Sequence, residues 1–136
     1  MRSWIVFATF TFLGWGLWAF LAKLAFRYID PHSTLIYQGI GTVLVIPAVL
    51  IIRRFDLPFH PVGVALACAS GLFGAMGALC FLVALSQGKA AVVVSYTGLY
   101  PLVTIALSFL ILQEVVTITQ GIGIVFALLA VVFLSM

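Results

Sequence analysis

The sequence predicts an all-α integral membrane protein with five transmembrane helices. Three observations carry that expectation. Of 136 residues, 65% are hydrophobic and 7% charged, whereas a soluble domain carries about 25% charged residues. The apolar residues gather in five runs separated by four short breaks, and the runs approach or exceed the ~20 helical residues that cross a bilayer core. The net charge of +3 comes from Arg2, Lys23, Arg27, Arg53, Arg54 and Lys89 against Asp30, Asp56 and Glu114. These groups sit at the edges of the apolar runs, where basic residues orient spans. Nucleic acid is not expected as a partner.

The first helix is expected over residues 4–26. Its apolar run is too long for a removed leader and lacks a small-residue cleavage site. At mid-depth it reads LGWGLW, with Trp15 and Trp18 three apart on one face with Thr11. These rings either pack against the glycines of a neighbour or form a cavity wall, because an indole N–H in hydrocarbon needs a partner. Asp30-Pro31 reads as an N-cap followed by proline at the first helical position. It introduces a second helix over 33–52, with Tyr37, Gln38, Gly39 and Gly41 near its start and Pro47 further along.

RRFDLPFHP (Arg53 to Pro61) is a polar loop with two prolines that ends this helix. His32 and His60 lie in loops without a ligand-spaced partner, so neither metal nor cofactor is expected. The third helix, 62–85, carries Gly71, Gly74, Gly77 and Ala78 at helical spacing, a surface that lets another backbone approach closely. Cys68 and Cys80 are too far apart along one helix to bridge and read as packing residues.

The fourth helix, 90–112, starts after Lys89 and carries Ser95, Tyr96, Thr97, Gly98 and Tyr100 just before Pro101. The proline removes a backbone donor and leaves the Thr97 carbonyl without its usual partner. Lipid cannot replace that bond, so the break must face protein or a water-filled cavity. Tyr96 and Tyr100 are therefore expected to line a central cavity with Trp15 and Trp18 opposite. A kink buried in ordinary helix packing is the alternative, as is a threonine that merely satisfies a freed carbonyl. Thr97, Pro101, Thr104 and Ser108 share one small, polar stripe. Thr117-Ile118-Thr119-Gln120 matches the S/T-x-x-Q capping box and opens a fifth helix over 118–136. Glu114 lies just outside the apolar run, where it is expected to orient the connection without binding substrate.

At this point the chain resembles a known pattern. The WG of the first helix with Lys23 eight residues after Trp15, the break at Pro101, Glu114 thirteen further on, and Gln120-Gly121 opening the last helix are similar to the EamA domain of the drug/metabolite transporter superfamily. The resemblance covers essentially residues 1–136. It implies half of a ten-helix inverted-repeat transporter fold, because many members carry two such domains. It also implies a secondary transporter of small metabolites in a bacterial or archaeal inner (plasma) membrane. Many members have an arginine seven residues after the loop proline; this chain has Gln38 there. That position joins the expected substrate cavity of Trp15, Trp18, Gln38, Tyr96, Thr97, Tyr100 and Pro101, without the charge that binds an anion. Lys23, Lys89 and Glu114 are expected at the interface as structural residues.

Five helices put the termini on opposite sides, so a second copy in tandem would be inverted, as in many alternating-access transporters. One copy finds its second half most simply in an antiparallel homodimer, and the charges permit it. Arg2, Arg53 and Arg54 stand on one side and Lys23, Arg27 and Lys89 on the other, which leaves almost no positive-inside bias. The alternative is a half-unit acting with another membrane protein, such as a component of a lipid-linked sugar flippase. Small multidrug resistance proteins of the same superfamily use a glutamate embedded in the first helix; here that helix has none. Aromatic and hydroxyl groups suit an uncharged, zwitterionic or aromatic solute. No nucleophile–base pair points to an enzyme, and no ring of charges points to a channel.

Overall fold

Every span in the chain begins at a residue type that can start a helix, and two of the five are broken by proline. The computed structural model describes residues 3–135, so Arg2 and the Met136 end of the expected fifth helix lie outside the described residues. The helices are α1 (Ser3–Ala25), α2 (Pro31–Val43), α3 (Val45–Ile52), α4 (Pro61–Gln87), α5 (Ala90–Thr97), α6 (Tyr100–Ile111) and α7 (Ile118–Ser135). No strand occurs among the described residues. Taken together, α2 with α3 and α5 with α6 make two spans of 22 residues each. The first four spans are long and apolar enough to cross a membrane. The 18 residues of α7 rise about 27 Å, close to the ~30 Å hydrocarbon thickness. Five spans follow.

The helix ends show why the boundaries fall where they do. Asp30 Oδ1 accepts from the His32 and Ser33 N–H groups at 2.8 and 3.1 Å, and the Ser33 hydroxyl donates to Oδ2 at 2.5 Å. Pro31 supplies the first turn, so the second span starts two residues before the expected 33. The fifth opens on a closed capping box. Thr117 N–H donates to Gln120 Oε1 at 2.8 Å, and Gln120 N–H to Thr117 Oγ1 at 3.3 Å. At the end of α3, Arg54 and Phe55 take positive φ (53° and 60°). Arg54 N–H reaches the Ile51 carbonyl and Phe55 N–H the Leu50 carbonyl, at 3.0 and 2.9 Å. This is the Schellman ending, built without glycine.

The second span is not the continuous helix the sequence suggested. Pro47 has no N–H for the Val43 carbonyl, and its ring crowds that oxygen; the helix opens at Leu44 between α2 and α3. Pro101 acts likewise on Thr97, and the chain turns through Gly98 and Leu99 between α5 and α6.

The helices gather into two compact units, residues 1–87 and 88–136. In the first, α4 packs against α1 and α2. Ala19, Ala22, Leu82 and Leu85 are buried there; the alanines let the helices come close. Trp18 stacks on Phe81 with centroids 5.2 Å apart, a contact worth about 0.5–1.5 kcal/mol beyond its area. In the second unit α5 packs against α7. The remaining large apolar side chains are mostly exposed, as lipid or another helix would require.

Candidate functional site

In the first unit the candidate residues gather at one end of the packed helices. Lys23 stands in the last turn of α1 and extends its Nζ to the Leu85 carbonyl, 2.6 Å away. That carbonyl belongs to the last turn of α4, where the helix leaves acceptors unmatched and carries partial negative charge. The lysine closes a neighbouring helix and orders the end of the packing. Beside it Trp18, Leu21, Ala22, Ala25, Ile29, Thr34, Tyr37 and Gln38 line a hollow of about 320 Å³. Trp18 and Gln38 thus meet in one hollow. Tyr37 joins them, a residue not counted among the expected site residues although it neighbours Gln38. Trp15, one turn before Trp18, is outside this lining and 57% exposed. Thr34 is buried, with its hydroxyl donating to the Asp30 carbonyl at 2.9 Å. It is wall, with nothing left to offer a ligand as a donor.

The second unit holds the proline break. Tyr96 and Tyr100 flank it, both well exposed. Thr97 donates its hydroxyl to the Val93 carbonyl at 2.7 Å, and Ser95 does the same to Ala91 at 2.7 Å. Both hydroxyls therefore serve their own helix. Gly98 N–H reaches the Val94 carbonyl at 2.8 Å, and a Cβ on Gly98 would stand 3.0 Å from that same oxygen. The turn before Pro101 is tight enough to favour glycine. Lys89 occupies the N-cap of α5 without a side-chain capping bond.

Beyond the break lies a second hollow, of about 340 Å³. It is lined by Thr104, Ile105, Ser108, Phe109, Glu114, Val115, Val116, Gln120 and Ile124. Sequence reasoning placed Thr104 and Ser108 on one stripe but did not join them to Glu114 and Gln120. The junction is made by Gln113, whose φ of 55° turns the chain back so that Glu114 N–H meets the Ser108 carbonyl at 3.3 Å.

The EamA-like transporter family matches this chain over residues 2–136. The chain belongs to that family. This member is therefore an integral membrane transporter of the drug/metabolite superfamily, and the sequence resemblance and the five helical spans agree with it. The EamA chain is also 28% identical over 121 residues to an uncharacterized protein of Methanocaldococcus jannaschii, covering 89% of this chain and 88% of the relative. The relative is thus of similar length. No solved structure matches.

Proposed function

We propose that this EamA chain is a secondary transporter that exports small metabolites by alternating access as an antiparallel homodimer. The observation that carries the reading is the pair of broken spans. The second span runs 13 residues, breaks, and continues for 8; the fourth runs 8, breaks, and continues for 12. Both start from the same side if the spans alternate. Turning a copy over therefore gives its second span a break at nearly the depth of the first copy's fourth. Broken helices at midplane, repeated under inversion, are how many secondary transporters build a substrate route.

Further support lies in the surface. At Gly71, Gly74 and Gly77 nothing stands within 4 Å of where a Cβ would be, so α4 offers a face on which another backbone can lie. The residues proposed to meet substrate are Trp15, Trp18 and Gln38 in the first unit, and Tyr96, Thr97, Tyr100 and Pro101 in the second. Their rings give apolar contact and their polar tips orient a solute, which suits an uncharged, zwitterionic or aromatic metabolite.

Locked orientation tests the pairing. Two variants, each with added lysines on one side or the other, should be inactive alone in proteoliposomes and active when mixed. Full solute flux from either variant alone would overturn the antiparallel dimer. Flux from cells but none from the purified wild-type chain would point to a half-unit that needs another membrane protein.

A further inference from the structure

We propose that the hollow between α6 and α7 binds a monovalent metal cation of the sodium class, held by Glu114, Ser108 and Thr104 with help from Gln120. Three observations lead there.

The first is which hydroxyls are spent. Thr9, Thr11, Thr42, Ser95 and Thr97 each donate to a carbonyl of the preceding turn, the ordinary fate of such groups in membrane helices. Thr104 and Ser108, one turn apart on α6, make no such bond among the described residues, and Glu114 has no ion pair or side-chain hydrogen bond there. All three residues line the same hollow. Gln120 Oε1 accepts one hydrogen bond, from Thr117 N–H, and keeps a second lone pair.

The second is backbone strain. A glutamine in the left-handed region is strained relative to the right-handed one. At Gln113 its effect is to bring Glu114 back over Ser108.

The third is charge. α6 is a half-helix whose C-terminal end, at Ile111, carries partial negative charge, and such ends together with oxygen side chains take alkali cations in transporters. One carboxylate balances one positive charge, whereas a calcium site gathers six to eight oxygens with several carboxylates. Among the described residues, no lysine or arginine lines the hollow. Its volume leaves room for the ion to keep part of its water.

The site stands apart from the identity of the solute, so its test needs no transport. Purified chain in detergent is titrated with radiolabelled sodium, choline replacing sodium at constant ionic strength, and its thermal midpoint is followed in parallel. Saturable binding and a sodium-dependent rise in midpoint are expected. Glu114→Gln should abolish both. Thr104→Val with Ser108→Ala should raise the half-saturating sodium concentration about tenfold or more, and that double variant decides the matter if Glu114→Gln fails to fold. Ser95→Ala, whose hydroxyl already serves Ala91, should bind as wild type. Absence of saturable binding, an equal response to choline, a response to divalent ions alone, or unchanged affinity in the double variant would overturn the proposal. Each outcome is independent of whether the homodimer reading holds.

Discussion

The two hollows of this transporter are nearly equal in volume, about 320 and 340 Å³, yet they spend their polar groups in opposite ways. In the first unit the polar atoms finish helices. Lys23 closes α4 at Leu85, Asp30 caps α2, and Thr34 bonds back to Asp30. What remains around the first hollow is a wall of Trp18, Tyr37 and Gln38 with aliphatic neighbours. In the second unit the capping duty falls on Thr117 and Gln120. Thr104, Ser108 and Glu114, whose side chains bond to no partner among the described residues, line the hollow. A count of polar residues would rank the two alike; tracing where each donor and acceptor goes separates the hollow proposed to meet solute from the one proposed to take a cation.

The largest expected effect tests the two lysines against each other. Lys23→Met removes a charged donor at 2.6 Å and leaves the Leu85 carbonyl unmatched, which should destabilise the first unit by about 1.5–3 kcal/mol. Lys89→Met, at an N-cap without a side-chain bond, should change stability by well under about 1 kcal/mol. Unfolding in mixed detergent measures both. Equal losses would mean that the lysines act only through net charge.

Next come the hydroxyls of the second unit. Thr117→Ala breaks half of the capping box and should cost about 1 kcal/mol. Thr104→Val, at a hydroxyl with no partner among the described residues, should cost almost nothing in sodium-free medium. A large loss there would show Thr104 to be structural and erase the contrast between the two hollows.

These helix starts were legible in advance, since Asp30-Pro31 and Thr117-x-x-Gln120 are local chemistry. The Pro101 break was legible for the same reason, with glycine, threonine and tyrosines around it. The break at Leu44 was not foreseen: Pro47 sits among valines and isoleucines, and no polar residue marks the opened carbonyl. The second hollow was half legible. Helical spacing put Thr104 and Ser108 on one stripe, but the return of Glu114 depends on positive φ at Gln113, and a glutamine does not announce it. Whether Tyr96 and Tyr100 meet substrate is a question for cysteine accessibility, with Cys68 and Cys80 replaced first because both are free and exposed.

A smaller effect sharpens the reading of the turn. Gln113→Gly relieves the left-handed strain and should raise stability by up to about 1 kcal/mol. The freed loop holds Glu114 less firmly, so sodium affinity should fall while the midpoint in choline rises. Both moving upward together would mean that the strain serves nothing.

The smallest effect separates the carboxylates, Asp30 of the first unit and Glu114 of the second. The Ser33 hydroxyl, with the Ser33 and His32 N–H groups, holds the Asp30 carboxyl down from an ordinary 3.8 to about 2. The His32 ring lies 3.4 Å from Oδ1 and adds attraction when protonated. A carboxyl depressed by folding contributes stability that is complete above its unfolded value near 4 and is lost as pH falls to about 2. Asparagine caps helices as well as aspartate does, so Asp30→Asn should keep the helix start yet remove this part of the pH dependence. Every other group is common to both proteins, so subtracting the two midpoint curves isolates Asp30. The difference should fall away as pH drops from about 4 towards 2. A difference that instead followed sodium concentration at neutral pH would tie Asp30 to the cation, and the two units could no longer be assigned separate tasks.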